Sequence, residues 1–416
     1  MAAPISPTQT VEAMFDALAR RDWSALATLV HLSALDALRQ QNLGLIILVT
    51  EERRAGKVGG GYNPQDVVIA DHLPQIGNER VPGFLNNPTI AELASLSSTE
   101  LFVRWCAAVY RPDPQDPVRE VVGLQRRMIG EILESDSLAH VLYRRESRHV
   151  EMNELFIDLP GRVMVMPLRK EHERWRLLLN DDLGWSVDFM ELVRPSPPFS
   201  HSQLKRTTRL APSAPTPGET RTQPGPVETV HSAFAAFELR DWQRLATLVD
   251  SERLASFQRE ELAYLAAWLN STEARAQARR EGVSIFMLSY DDSLPPEAVA
   301  EQSADVKVAA FPNTPTLGEL ARLSPAAFFG RWCQAVYESD PAKGPGGGRT
   351  QMRREVIGDV FEDQTLAHVL YRSDVRRTQP WPVERMLLKR SAPGWRLLLN
   401  DDIGWTVDLS MLLNHP

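Results

Sequence analysis

The chain has 416 residues, too many for a single hydrophobic core, so two domains are expected. Its composition (43% hydrophobic, 24% charged) is typical of a soluble globular protein, and no apolar run approaches the roughly 18 residues that cross a bilayer. The net charge of −8 argues against a general nucleic-acid or anionic-membrane surface, so we expect neither as a partner. No signal-peptide pattern is evident at residues 1–10, and we expect a cytoplasmic protein.

One stretch of sequence occurs twice and divides the chain. Residues 175–188 and 395–408 are identical at 12 of 14 positions, and both differences are conservative. This predicts an internal duplication, with a first copy over residues 1–193 and a second copy over residues 227–416. Residues 194–226 contain eight prolines and predict a flexible linker. The linker is basic, so it could bind a polyanion. The simpler interpretation is a spacer that stays solvated.

Helices are predicted at the start of each copy. Apolar residues recur at helical spacing, and Asp22 and Asp241 are placed to cap a short second helix. After the third helix the copies diverge, with a loop containing Val67-Val68-Ile69 in the first and a strand candidate at residues 283–290 in the second. The three helices are predicted at about residues 11–18, 26–30 and 33–54 in the first copy and 230–237, 245–249 and 251–280 in the second.

A fourth, strongly apolar helix follows in each copy. Ser97 and Glu100 match a capping box, and Ser324-Pro325 is a helix start with proline at its first position. The apolar residues of this helix, with Trp105 or Trp332 at the centre, are predicted to share one face. The only cysteines, Cys106 and Cys333, lie in these helices and are interpreted as core residues in a reducing compartment, without a disulfide.

The rest of each copy predicts an antiparallel meander, because strand-like segments follow one another at short intervals. The connection from Arg144 to Met166 is longer than its counterpart from Arg372 to Met386 and is interpreted as a surface loop. Asn180 to Gly184 predicts a turn; two adjacent aspartates do not supply the ligands that a calcium loop requires. The predicted strands are 121–133, 137–145, 161–170, 174–180 and 184–192, with counterparts at 354–361, 365–373, 383–390, 394–400 and 404–412.

This order of elements resembles the cone-shaped α+β fold of nuclear transport factor two, ketosteroid isomerase and the SnoaL-like polyketide cyclases. The resemblance implies two tandem cone-shaped domains, each with N-terminal helices packed on a curved antiparallel sheet and a pocket at the wide end. Members include enzymes, ligand binders and interaction modules, so the fold does not decide function. The segments most similar to the family are Asp22-Trp23-x-x-Leu26-Ala27-x-Leu29-Val30, Ala139-His140-Val141-x-Tyr143-Arg144 and Trp175-Arg176-Leu177, with their second-copy equivalents.

His140 and His368 are the only histidines at equivalent positions of the two copies. Histidine titrates near neutral pH, so each is a candidate general base or polar anchor; the alternative is a buried histidine held by a structural hydrogen bond. Strand alternation places His140 and Arg144 on one face and Tyr143 on the other. The candidate pocket residues are His140, Tyr143, Arg144, His368, Tyr371 and Arg372, and the candidate anion contacts at a cone mouth are Arg104 and Arg331, which are alternatively surface ion-pair partners.

No familiar catalytic pattern is present beside these residues. The carboxylate base, tyrosine and protonated aspartate of ketosteroid isomerase map to no positions of the chain. Zinc-ligand spacing, a phosphate loop and a dinucleotide fingerprint are also missing from the sequence, so we expect neither a metal nor a cofactor.

We therefore expect a non-catalytic tandem module that binds a small apolar or peptide-like ligand or a partner protein. The alternative is an enzyme of the SnoaL or isomerase type that uses His140 or His368 for proton transfer. Strands such as residues 163–168 are apolar on both faces and predict a sheet that is covered on both sides. On this basis we expect the sheets of the two copies to pack against each other. The single chain would then have the arrangement of a symmetric homodimer.

Overall fold

The chain forms two compact units, Met1–Ala211 and Pro212–Pro416, and the boundary falls inside the predicted linker. Each unit combines helices with a four-stranded antiparallel sheet, in agreement with the α+β class. Within the part of the chain that is described, no helix has the length and apolar character needed to cross a membrane. The computed structural model describes residues 6–55, 64–110, 126–145, 148–152, 155–159, 162–179, 224–270, 305, 307–308, 311–337, 353–373, 383–392 and 394–399.

Helices form the first part of the first copy, and their starts follow local capping rules. Asp22 accepts a hydrogen bond from the backbone N–H of Ala25, as predicted. The capping box of Ser97 and Glu100 is also confirmed, and a second one begins at Thr89. The helices are α1 (Pro7–Ala19), α2 (Trp23–Leu29), α3 (Leu32–Ala55), α4 (Ile69–Ile76), α5 (Ile90–Ala94) and α6 (Ser98–Val109).

Helix α4 corrects one prediction. The loop predicted at Val67-Val68-Ile69 is wrong at its last residue, because Ile69 begins this helix. Pro74 lies inside the helix, and an interior proline argues against a helix when only the sequence is considered. Burial of Ile76, which is 1% exposed, helps to hold the segment against the rest of the helical core.

The apolar residues of helix α6 share one face, as predicted, and this face packs against two cores. Phe102 and Cys106 belong to the core between the helices and the sheet. Leu101, Trp105 and Ala108 belong to a separate core formed with α3, α4 and α5. The predicted burial of Trp105 is confirmed at 1% exposure. The helix therefore connects two cores.

The sheet of the first copy is the predicted meander with a hairpin inserted. Its strand order is β1-β2-β5-β6, all antiparallel. The connection from Arg144 to Met166 is more than a loop, because it contains the paired strands β3 and β4. Strand β6 stops before residue 180, and Val30 forms a parallel bridge with its last residue. The strands are β1 (Arg126–Ser135), β2 (Leu138–Arg145), β3 (Arg148–Met152), β4 (Leu155–Leu159), β5 (Arg162–Glu171) and β6 (Arg174–Leu177).

The second copy has a corresponding arrangement among its described residues. Trp332 is 2% exposed, as predicted, and Val249 bridges Leu397 as Val30 bridges Leu177. The predicted turns at 180–184 and 400–404 and the strands at 184–192, 283–290 and 404–412 lie outside the described residues. The elements are α7 (Pro226–Glu238), α8 (Trp242–Leu248), α9 (Ser251–Asn270), α10 (Leu317–Ala321), α11 (Pro325–Tyr337), β7 (Arg354–Phe361), β8 (Leu366–Ser373), β9 (Val383–Ser391) and β10 (Gly394–Leu397), with sheet order β10-β9-β8-β7.

Both faces of the second strand in each sheet are buried. Ala139, Val141 and Tyr143 of β2 point into the core with the helices, where the Tyr143 ring lies edge-on to Phe15 at 5.0 Å. Leu142 points to the other face by strand alternation, and it is fully buried as well. The sheet is thus covered on both faces at this strand, as the apolar pattern predicts.

Candidate functional site

A histidine and a glutamate pair on the face of the first sheet opposite the helices. His140 on β2 lies opposite Ile132 on β1, and Glu134 follows two residues further along β1. The Nε2 atom of His140 is 2.6 Å from Oε2 of Glu134. The histidine side chain is 1% exposed, whereas the glutamate side chain is 25% exposed and reaches solvent. The β1–β2 hairpin therefore carries a buried imidazole whose carboxylate partner is partly exposed to solvent.

The second copy contains the same pair in a more enclosed form. His368 on β8 has Nε2 at 3.0 Å from Oε2 of Glu362, which directly follows β7. The histidine side chain is 0% exposed and the glutamate side chain only 4%. Because a buried carboxylate requires hydrogen-bond donors, His368 supplies one of the donors that Glu362 needs.

An arginine fixes the tautomer of the second-copy histidine. Nη1 of Arg385 on β9 is 3.1 Å from Nδ1 of His368. A guanidinium can only donate hydrogen bonds, so Nδ1 accepts and the ring proton lies on Nε2, from which it is donated to Glu362. Both ring nitrogens of His368 are thus engaged by protein side chains.

This arrangement cannot be reproduced in the first copy. Arg385 lies opposite Leu370 in the β8–β9 register, and the corresponding partner of Leu142 in the β2–β5 register is Val165. Valine has no polar side-chain atom to offer to an imidazole. The two histidines therefore occupy equivalent strand positions with different chemical surroundings.

The predicted pocket residues do not converge on one point. Tyr143 and Tyr371 are fully buried on the helix side of their strands, away from the histidines. Arg144 and Arg372 share the histidine face and are partly buried. Each arginine is four positions along the strand from the histidine, which places their Cα atoms roughly 13 Å apart.

The candidate anion contacts lie on the outer surface of a helix. Arg104 and Arg331 are both exposed. The pKa of Glu100, one turn before Arg104, is lowered mainly by hydrogen bonds from Ser97 and to a smaller degree by the positive charge of Arg104. Arg104 thus has the surroundings of a surface ion-pair partner, while Arg331 has Ala327 at the position equivalent to Glu100.

The cysteines are structural, as predicted. Cys106 and Cys333 are free and buried, and burial raises the pKa of each thiol far above its ordinary value. A buried, protonated thiol is a poor nucleophile. Among the described residues, no three His, Cys, Asp or Glu side chains are grouped so that they could hold a metal ion.

Sequence reasoning identified the histidines and missed their partners. A signal for the glutamates was present, because glutamate stands six residues before the histidine in both copies. Arg385 had no such signal, since its counterpart is Val165. Comparisons of the chain with protein-family models, curated proteins and solved structures find no match. Function is therefore inferred from the glutamate–histidine pairs and their surroundings.

Proposed function

We propose that the protein is a non-catalytic tandem module of two cone-shaped domains that binds a small apolar or peptide-like ligand or a partner protein. The observation that carries this proposal is the double engagement of His368. A general base must have a ring nitrogen that can exchange a proton with the substrate. In His368 one nitrogen faces Glu362 and the other faces Arg385, so proton transfer to a substrate would first require breaking one of these contacts.

Burial supports the same proposal in both copies. The imidazoles of His140 and His368 are 1% and 0% exposed. Tyr143 and Tyr371 lie on the other face of their strands, so neither tyrosine joins the histidine of its own strand. Each histidine is best understood as a structural residue that hydrogen-bonds a side chain from the neighbouring strand or its end. On this proposal, a ligand or partner binds at a surface other than the histidine sites.

A second candidate function applies to the first copy alone. The Nε2 atom of His140 is 2.6 Å from Glu134, whose carboxylate is 25% exposed. A carboxylate can orient an imidazole and raise its basicity. The first copy has Val165 at the position of Arg385, so no arginine side chain reaches the ring from that position. These features favour an isomerase-type enzyme that uses His140 for proton transfer, as the alternative to a purely binding protein.

One experiment separates the two functions. The full chain, His140→Gln and His368→Gln are each given a β,γ-unsaturated ketone, and isomerisation to the conjugated ketone is followed by ultraviolet absorbance. The same three proteins are titrated with an apolar fluorophore. We expect saturable fluorophore binding by all three proteins and no isomerisation above the buffer rate.

The two histidine variants serve as matched controls for each other. Isomerisation by the wild type that is lost in His140→Gln and kept in His368→Gln would replace the proposal with the enzymatic alternative. If the folded protein does not bind the fluorophore saturably, the proposal of a small apolar ligand is contradicted. The proposal of a protein partner then remains, and a pull-down with the full chain tests it.

A further inference from the structure

Helix α4 is a short and weakly stabilised element of the first copy. No side chain caps its start, and Pro74 inside the helix lacks the backbone N–H that would continue the hydrogen-bond pattern. Of its eight residues only Ile76 is buried, whereas α6 buries five of its twelve. Because a helix of this length is marginal in water by itself, α4 depends on its contacts with the rest of the unit.

The apolar side of α4 packs on a core that α3, α5 and α6 share. Ile76 belongs to this core, and the partly buried Ile69 and Leu73 pack against it. These three residues stand at positions i, i+4 and i+7, which form one face of a helix. The apolar area that α4 covers, here called the surface beneath α4, is therefore already suited to an amphipathic helix. Members of the core include Ile46 and Ile47 of α3, Leu93 of α5 and Trp105 of α6.

Polar contacts at the edge of this surface also match a helix. Nη1 of Arg54, near the end of α3, is 2.8 Å from the carbonyl oxygen of Gln75 in the last turn of α4. Cationic groups are favoured at that end of a helix, where backbone carbonyls lack intrahelical donors. Nδ1 of His72 is 2.6 Å from Oε1 of Glu51. Both contacts reach solvent, so water can replace them at little cost.

The chain on both sides of α4 is anchored independently of the helix. Nε2 of Gln40 donates to the carbonyl oxygen of Val67 at 2.7 Å, and the backbone N–H of Ala91 donates to the carbonyl oxygen of Gly77 at 2.9 Å. Release of α4 would leave these two attachments in place. The helix can thus open locally while the unit around it stays folded.

We propose that the surface beneath α4 is a docking site for an amphipathic helix of a partner protein, and that α4 occupies this site as an internal competitor. The inference rests on the proposed binding function and narrows it to one kind of partner. The partner helix carries apolar residues at the spacing i, i+4 and i+7 and places its C-terminal end at Arg54. Because α4 is tethered beside the site, it lowers the apparent affinity for the partner by the fraction of molecules in which the surface is covered.

Hydrogen exchange of the full chain tests the opening of α4. Peptides from α4 should exchange at least about tenfold faster than peptides from α6. Pro74→Ala should slow the exchange of α4, because the substitution supplies the missing N–H and a residue of high helix propensity. Equal protection of α4 and α6 would overturn the proposal, since a helix that does not open locally cannot give way to a partner.

The binding test uses a fluorescent synthetic peptide with the sequence of residues 66–79 and the substitution Pro74→Ala, followed by anisotropy with the full chain. In the protein, Leu73→Ala weakens the packing of α4 and should tighten peptide binding about tenfold, whereas Pro74→Ala stabilises α4 and should weaken it about tenfold. Leu239→Ala is the matched control, because it makes the same substitution at an exposed leucine of the second copy and should leave binding unchanged. The peptide with Leu73→Asp should not bind.

The outcomes distinguish this proposal from the general binding function. If neither the wild type nor Leu73→Ala binds the peptide, the docking site is refuted, while the fluorophore and pull-down experiments still test the general function. An equal change in Leu73→Ala and Leu239→Ala would also refute it. If the peptide does not bind but the apolar fluorophore binds Leu73→Ala more tightly than the wild type, a small-molecule site replaces the helix-docking site. Circular dichroism of Leu73→Ala and Pro74→Ala checks that both variants are folded.

Discussion

Three histidine–glutamate pairs among the described residues differ in how deeply they are buried, which allows the contribution of burial to be compared within one chain. The change is the replacement of each histidine by alanine, and the full chain is used throughout. The pairs, with the exposures of histidine and glutamate side chains, are His72–Glu51 at 2.6 Å (29% and 35%), His140–Glu134 at 2.6 Å (1% and 25%) and His368–Glu362 at 3.0 Å (0% and 4%).

The expected losses of stability follow the same order. His72→Ala should cost at most about 1 kcal/mol, because both partners of this surface pair return to water. His140→Ala should cost about 1–3 kcal/mol, since a buried hydrogen bond is lost but the Glu134 carboxylate can still be hydrated. His368→Ala should cost about 3–5 kcal/mol, because the buried Glu362 loses one hydrogen-bond donor and Arg385 loses one acceptor.

The assay is urea denaturation near neutral pH, combined with hydrogen exchange of peptides from β2 and β8. Exchange assigns each loss to its own unit, which matters because the chain consists of two compact units that need not unfold together. Losses that do not rank with burial, or a surface variant as costly as His368→Ala, would refute this account. Wild-type stability of His140→Ala together with lost ligand binding would show that His140 is functional and not structural.

The other predictions concern single residues and the association of the copies. Trp105→Ala and Trp332→Ala should each cost about 3–5 kcal/mol in denaturation, and a change below about half a kcal/mol would contradict their central packing. Gly44→Ala should cost about 1–3 kcal/mol, because the added methyl group would collide with the backbone carbonyl of Pro64; unchanged stability would mean that the two segments separate easily. Burial raises the pKa of Asp359, so the folded state holds the carboxyl proton more tightly than the unfolded chain does. The free energy of unfolding therefore falls as the pH rises through the folded pKa and this carboxyl group loses its proton. Asp359→Asn should therefore raise Tm near pH 7 and leave it unchanged near pH 3, whereas an equal change at both values would exclude this cause. Association of the two copies stays a prediction, which co-purification of separately tagged halves would test.

The sequence determined those features that depend on neighbouring residues. The cap at Asp22 and the capping box at Ser97 involve partners three residues away, so their chemistry can be read directly from the chain. Strand alternation in the same way separated His140 from Tyr143, because successive side chains of a strand point to opposite faces. Comparison of the copies predicted the domain boundaries and identified the paired histidines, and it also contained the signal for Glu134 and Glu362.

Only the tertiary structure decided how distant segments combine. Pro74 argues against a helix locally, yet packing against the rest of the helical core keeps α4 helical. Whether α6 faces one core or two depends on the paths of α3, α4 and α5, which no periodicity in α6 encodes. The contact of Arg385 with His368 depends on the register between β8 and β9. The connection between these strands differs in length from its counterpart in the first copy, so the register cannot be read from the sequence. The same register brings Val165 to that position in the first copy, and this exchange makes the two histidine sites chemically different.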